Sequence, residues 1–558
     1  MCPGGPDPPP ITVPTTIGEP VTQFDLPHPA AVTWPDHYAT APGLSLEEIV
    51  RPYGSSATVS FVAGDGARDA ASYDVLARRI ATAAHRLRAA GLRPGDPAAV
   101  TLTNDLPTVT AALGVWAAGG TLVSLPPPPR RGREDHAARF GAVLDAMDCR
   151  LHLTGTADEL PLTGRLRAVP IAALQGEERV ADPEPTVPRT ALVQFTSGSL
   201  GSPKGVAVRG DIFAGHIKMI SRCFDLDPAR DTVATWLPLY HDLGFVCFFG
   251  SALYARTTQT HTDPKSFVLD PSRWLTMLAQ ERATVSGAPN FGFRLASRVP
   301  YPDGLDLSPM RACLNAAERV IWPDLLDFHR VAGPLGFRWE AIMPAYGLAE
   351  GTVGVSCTPL GRGPVRGPDG HVSLGPPLPG NRYTVAPGGT PGSLLLDSDW
   401  LFEGYWTVDG FQPRGPGAFD TDDAAFVHDG DLHVIGRRAD VASVSGHNVF
   451  AEDVEAVALS TAGPDLLGCA AFKHRGDVGE RFGLVLEVSP RARAVAPELA
   501  RAARRAVTEA LGTRPDPVLV VQQGAIPRTT SGKPRRPVLR DAVLGGELPP
   551  RRVLTTLA

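Results

Sequence analysis

The 558-residue sequence predicts an α/β fold. A large N-terminal domain of mostly parallel sheets flanked by helices, with a small β-barrel-like part, precedes a small α+β C-terminal domain. Three observations predict it. Up to about residue 380, short apolar runs alternate with stretches of helical periodicity, the pattern of βαβ units around a parallel sheet. Beyond Gly380 the chain turns to short β segments punctuated by Gly and Pro. From Val441 strand and helix patterns mix again in a shorter module. The expected boundaries are a Pro-rich lead-in over 1–43, expected to be mobile, a large domain over 44–436, a linker over 437–441, and a small domain over 442–558.

The elements follow in order. Tyr73, Leu76, Ile80, Ala83, Leu87 and Leu92 recur near helical spacing, and Gly91, Pro94 and Gly95 end that helix. Ala98 to Leu102 reads as a buried strand, Thr108 to Ala118 as a helix stopped by Gly119-Gly120, and Thr121 to Leu125 as the next strand. Leu192 to Phe195 is a strand that feeds a Ser/Gly loop, and a helix is expected from about Asp211 to Phe224. Ala234 onwards is a strand entering a turn with Tyr240, His241 and Asp242. Val285 to Phe291, Cys313 to Glu318 and Pro344 to Gly351 read as strand ends opening into loops. In α/β sheets ligands sit at such ends. Short strands follow at Ser393–Leu396, Phe426–His428 and Leu432–Ile435. The last module has strands near Val441–Val444, Ala470–Lys473 and Leu484–Val488, with helices near Ala451–Leu459 and Pro497–Leu511.

Composition excludes several classes. The net charge is −6 with both signs interspersed and no basic patch, which argues against nucleic acid. Seven scattered cysteines without a C-x-x-C pair argue against a disulfide framework or zinc site, and for a reducing compartment. No apolar run reaches the ~18 residues of a membrane span, and the N-terminus lacks the basic and apolar regions of a signal peptide. A cytoplasmic location is expected.

The loop from Thr196 to Gly205 carries the first chemical signal. Gly198 and Gly201 permit close backbone approach to an anion, Thr196, Ser197 and Ser199 add donors, and Lys204 supplies a point charge. The reading is a phosphate cradle for a nucleoside triphosphate. It is not a P-loop: Pro203 stands where the second Gly belongs, and no Ser or Thr follows the lysine to hold a cation.

This loop, Trp236-Leu-Pro-Leu-Tyr-His-Asp-Leu-Gly244, Ser286-Gly-Ala-Pro-Asn290-Phe, Asn315-Ala-Ala-Glu318, Gly446-His-Asn448-Val-Phe-Ala-Glu-Asp453 and Pro527-Arg-Thr-Thr-Ser-Gly-Lys533 follow one another in the order of the adenylate-forming superfamily. Over about residues 45 to 545 the chain resembles its acyl-CoA synthetases, nonribosomal adenylation domains and, most of all, its fatty acyl-AMP ligases. The resemblance implies attack of a carboxylate on the α-phosphorus of ATP, giving an acyl-adenylate and pyrophosphate. It assigns the β- and γ-phosphates to the Thr196–Lys204 loop and Mg2+ to Glu350. It places Tyr346 with Gly347, Ala317 and Glu318 around adenine. Asp423 would take the ribose hydroxyls, Arg437 would add a donor, and Lys533 would bridge the substrate carboxylate and α-phosphate. His241 falls where a gate or an acid–base group stands, and Asp440 at the hinge about which the small, mobile domain rotates. Asp242, Asn290, Phe291 and Gly351 are candidates for the acid pocket.

Three departures bear on function. The family's Thr-Gly-Asp is Thr421-Asp422-Asp423 here, and Ala439 precedes the hinge acid where Lys is common. After Ser356 there is little room for the segment that fatty acyl-AMP ligases insert there, linked to their failure to use CoA. The resemblance implies a stand-alone acyl-AMP ligase that passes a fatty or small acyl group to the phosphopantetheine thiol of a carrier protein in trans, in polyketide or nonribosomal peptide biosynthesis. Alternatives are an acyl-CoA synthetase, an amino-acid adenylation enzyme, and, from another class, a nucleotide-binding scaffold without catalysis.

Overall fold

Parallel strands with apolar faces need cover on both sides. The computed structural model provides it with two eight-stranded sheets and intervening helices. It describes residues 47–51, 54–129, 133–155, 165–178, 188–197, 203–368, 370–386, 391–444, 447–461, 465–476, 479–529, 533–549 and 552–557. The expected mobile lead-in over 1–43 lies outside them, as do Gly198, Ser199 and Gly201.

One sheet runs Gly354–Cys357, Ile342–Gly347, Ala312–Asn315, Val285–Ala288, Thr232–Thr235, Thr258–Thr262, Thr58–Val62, Arg68–Ser72. Its six central strands are parallel and its two edge strands antiparallel. The second runs Gly410–Pro413, Gly404–Thr407, Pro203–Arg209, Thr190–Ser197, Thr121–Leu125, Pro97–Thr101, Leu151–Thr154, Arg167–Pro170. The helices form for local reasons. Ser72 caps Tyr73–Ala89 by accepting from Val75 N, with Asp74 in the first turn and Arg86 and Arg88 in the last. Asp105 caps Leu106–Ala117 by accepting from Thr108 N at 2.8 Å. Gly114 of that helix packs on Ala83, where a Cβ would come within 2.8 Å of the alanine methyl.

The small β part is a four-stranded antiparallel sheet of Asn381–Val385, Gly392–Ser398, Phe419–His428 and Asp431–Arg437. The C-terminal module pairs Val441–Val444 with His447–Phe450. It adds a four-stranded sheet of Leu466–Gly476, Gly479–Val488, Val518–Gln522 and Val553–Leu557, covered by helices Ala451–Thr461, Ala496–Leu511 and Arg536–Leu544. Two hydrophobic clusters consist only of residues from Ala442 onwards.

One expectation changes locally. The Ser/Gly loop does not pass straight into a helix. The chain returns as the antiparallel strand Pro203–Arg209, pairing Thr196 with Lys204, before helix Gly210–Cys223 begins. Val206, Ala207 and Val208 are all buried, a short continuous apolar run rather than an alternating pattern. Among the described residues no helix is long and apolar enough to cross a membrane.

Candidate active site

Strands Thr190–Ser197, Thr232–Thr235, Ala312–Asn315 and Ile342–Gly347 end around one cavity of about 590 Å³. The antiparallel sheet contributes Asp420 to Asp422 and Arg437 to its wall, and the C-terminal module contributes Lys533. Thr196, Lys204, His241, Asp242, Ala317, Tyr346, Gly347, Glu350 and Asp440 line it too. Residues as far apart in sequence as Gln194 and Val538 thus line one space.

The strand and turn chemistry fixes these side chains. Asn104 holds the turn after Thr232–Thr235. Its Nδ2 donates to Leu237 O and Thr262 O, each at 2.9 Å, and its Oδ1 accepts from Leu239 N. Gly244 closes that turn under Pro238 O, where a Cβ has no room. His241 and Asp242 are thereby presented side by side, with Nδ1 2.6 Å from Oδ1. Burial pushes the Asp242 carboxyl up, but His241, the Leu243 N–H and the charge of Lys533 outweigh it and hold it below the ordinary range.

Gly347 is dictated by close approach, since a Cβ there would overlap Val353 O. Tyr346, just before it, donates its hydroxyl to Asp423 Oδ2. Asp423 Oδ1 lies 2.9 Å from Arg437 Nε, and Arg437 Nη1 donates to Thr421 O at 2.9 Å. Burial raises Asp423 above the usual carboxylate range, against the pull of Arg437, Tyr346 and Lys533. Asp422 takes φ 61°, the left-handed region that Gly favours and Asp tolerates, at the position of the family's Gly. Its side chain is half exposed and sits 3.2 Å from Arg438, while Asp423 is buried. The extra acid therefore belongs to the turn, and Asp423 faces Tyr346 and Arg437. Asp422→Gly is expected to leave KM for ATP within about twofold. Asp423→Ala is expected to raise it by roughly 10- to 100-fold, the weight of charge-assisted hydrogen bonds. Steady-state kinetics on the two variants checks the register.

Glu350 Oε1 accepts from the Tyr405 hydroxyl at 2.8 Å, and Lys204 Nζ lies 5.1 Å over the Tyr405 ring. Tyr405, a residue the motif reading passed over, thus joins Lys204 to Glu350. The signal available was an aromatic pair behind a glycine, Gly404-Tyr405-Trp406, in the β region. Ala317 has φ 71°, an uncommon angle for alanine, at the end of Asn315-Ala-Ala. Glu318 beside it accepts from Phe291 N, and burial raises its carboxyl.

Lys533 faces the cavity from a hairpin in which Thr529 N donates to Lys533 O at 2.7 Å. The residue is solvent-exposed and lines the cavity. Desolvation and the neighbouring charge of Arg437 lower its ammonium from the ordinary lysine range, while Asp242, Asp423 and Glu318 hold it up. The lysine is therefore in place among the groups it would serve.

Three candidates lie behind the wall. Asn290 is 2% exposed; its Nδ2 donates to Asp324 at 2.5 Å and its Oδ1 accepts from Ile321 N at 3.0 Å. Phe291 packs on Trp236 at 5.8 Å between ring centres. Gly351 is buried in a 3-10 turn. None of the three lines the cavity, and neither do the candidates Asp423 and Glu318. The cavity's apolar lining includes Ile220, Cys223, Phe224, Cys247, Met343 and Leu378. All six described cysteines are free and buried, packed as small hydrophobes.

Comparison with known proteins agrees with this geometry. The AMP-binding enzyme family matches residues 48–406. A 4-hydroxyphenylalkanoate adenylyltransferase from Mycobacterium tuberculosis is 30% identical, with 79% of this chain and 81% of that protein covered. A long-chain-fatty-acid–AMP ligase from Mycobacterium bovis is 30% identical, with 84% and 91% covered. A solved structure from work on the fatty acyl-adenylate ligases of E. coli and L. pneumophila superposes with a TM-score of 0.78 at 25% identity, covering 91% of this chain and 99% of that one. With a family match that spans more than half its length and relatives 30% identical over most of both chains, this chain belongs to the AMP-binding enzyme family and is an acyl-AMP ligase, which uses ATP to activate a carboxylic acid as its acyl-adenylate.

Proposed function

We propose that the enzyme activates a fatty or small acyl acid and then transfers the acyl group to the phosphopantetheine thiol of a separate carrier protein, in secondary metabolism. One observation carries this reading: Lys204, Glu350, Tyr346, Arg437, Lys533 and a set of apolar side chains line one cavity, with Asp423 buried behind it on Tyr346 and Arg437. The apolar lining suits an acyl body, and a long-chain-fatty-acid ligase among the relatives points the same way.

Two anions must meet in the first step, so the protein's contribution is position and charge. In this reading Lys204 and the Thr196 loop hold the β- and γ-phosphates, Tyr346 and Ala317 flank adenine, and Asp423 with Arg437 takes the ribose. Lys533 neutralises charge as the carboxylate attacks the α-phosphorus and pyrophosphate leaves. Glu350 has the donor chemistry for Mg2+, a carboxylate at the phosphate side of the cavity, and would hold the cation together with ATP oxygens. Bound there, Mg2+ would neutralise phosphate charge. His241, set by Asp242, would gate the acid's entry. The domain reading completes the cycle: a large domain over 44–436, a hinge at 437–441 turning on Asp440, and a small domain over 442–558 that carries Lys533 in and then away.

An acyl-CoA synthetase is the second reading. It is favoured by the short connection from strand Gly354–Cys357 to strand Asn381–Val385, which holds only two isolated bridges among its described residues, Arg366 with Val372 and Ser356 with Pro377. The test is acceptor competition: enzyme loaded with acyl-AMP is offered CoA and a phosphopantetheinylated carrier protein. Faster thioester formation on the carrier is expected. Equal or faster transfer to CoA would replace the carrier reading with the synthetase.

A further inference from the structure

Arg536 is the first residue of helix Arg536–Leu544, three residues after Lys533, and no motif singled it out. Its side chain is 14% exposed and every face of it is taken. Nη1 lies 3.0 Å from Asp440 Oδ2. Nη2 lies 3.1 Å from Glu452 Oε1 and 3.0 Å from Glu455 Oε2. Nε donates to Ala471 O at 3.1 Å and to Glu455 Oε1 at 3.2 Å. Burial disfavours the guanidinium, but Glu455, Glu452 and Asp440 raise it, so the charge stays. A planar fork can face three carboxylates and a carbonyl at once; an ammonium cannot.

The partners sit on both sides of a short chain path. Asp440 ends the turn Arg438–Asp440, which begins next to Arg437, the partner of Asp423. Glu452 and Glu455 belong to helix Ala451–Thr461, and Ala471 to strand Leu466–Gly476. The Lys533 hairpin is pinned at its base, where Arg535 N donates to Pro527 O at 2.8 Å and Arg528 bridges to Pro534. A ring of contacts results. It runs from Asp423 to Arg437, along the chain to Asp440, across to Arg536, and back along the chain to Lys533, whose charge faces Asp423. Three residues of chain span at most about 10 Å, so the place of Arg536 limits where Lys533 can be.

We propose that Arg536 is the positioning residue for Lys533: its grip on Asp440, Glu452 and Glu455 fixes the base of the lysine hairpin so that Lys533 reaches the cavity during adenylation. The inference rests on the reading of Lys533 as the group that stabilises the adenylation transition state. Arg536 touches no reactant and acts only through the lysine. Lysine at 536 keeps the charge but loses the fork, so Arg536→Lys should resemble Arg536→Gln.

The test is a double-mutant cycle on the full chain, read as acid-dependent pyrophosphate release. Arg536→Gln in the parent is expected to lower kcat by about 10²-fold, the scale of a misplaced catalytic group, with KM for ATP little changed. In a Lys533→Ala background the same substitution is expected to cost less than about twofold. An equal cost in both backgrounds, or no cost in the parent, overturns the inference. Asp440→Asn, which weakens one arm of the grip, repeats the cycle without emptying the buried site; non-additivity with Lys533→Ala supports the inference and additivity overturns it. A parent enzyme that releases no pyrophosphate with any acid would instead remove the adenylation reading itself, and the inference with it.

Discussion

Lys533→Ala is expected to lower acid-dependent pyrophosphate release by roughly 10²- to 10³-fold, the range for removing one preorganised charge from a transition state. KM for ATP should stay within about threefold. Tyr346, Asp423 and Arg437, which the proposed function sets around purine and ribose, do not depend on the lysine for their hydrogen bonds. Burial and the charge of Arg437 lower the ammonium's pKa, against the pull of Asp242, Asp423 and Glu318. Its pKa is lowered, so its charge is lost earlier than a free lysine's as pH rises. The alkaline limb of kcat/KM, which reports the free enzyme, is expected below the ordinary lysine range and should vanish in the alanine variant. A pH–rate profile on both proteins checks this.

Glu350→Gln should be nearly as costly. The substitution keeps shape and can keep the hydrogen bond from Tyr405, but it removes the charge that faces Lys204 across the Tyr405 ring. If the carboxylate holds Mg2+ with the phosphates, kcat falls by about 10²-fold and the Mg2+ concentration for half-maximal rate rises at least about tenfold. Titration of Mg2+ at saturating ATP separates this from a packing defect, which would lower the rate at every Mg2+ concentration alike. Tyr405→Phe, which leaves the charge and the ring in place, is the matched control.

Much of the fold was legible because its signals are local. The helix at Tyr73 to Leu92 carries its apolar residues at helical spacing, and the structure ends it at Ala89. The strand Thr121–Leu125 is an apolar run bounded by Gly120 and Pro126, and is fully buried. Strands such as Pro203–Arg209 were less legible. Seven residues beside a glycine-rich loop have no turn signal to separate them from a helix start, and their place is set by pairing with Thr190–Ser197 and Gly404–Thr407.

The site divides in the same way. Lys204, Glu350, Asp423 and Lys533 stand in runs whose order carries meaning, and the fold brings these runs together. Tyr405 and Arg536 act through contacts made across 55 residues to Glu350 and across 96 residues to Asp440, and no spacing rule reaches that far. Asn290 and Phe291 show the converse. They stand in a motif at a strand end, yet their side chains are spent on Asp324, Ile321 and Trp236, holding the wall from behind. Asp422 needed a backbone angle, because its residue type alone does not separate a turn acid from a ribose acid.

The most direct measurement is a single-turnover reaction of the full chain with ATP, Mg2+ and a panel of fatty and aryl-alkanoic acids, in which acyl-AMP is quantified by mass spectrometry alongside pyrophosphate. The account predicts that at least one acid gives acyl-AMP and pyrophosphate in equal amounts, and that Lys533→Ala gives neither at a comparable rate. Acyl-AMP from no acid in the panel, or formation by Lys533→Ala at the parent's rate, would contradict it.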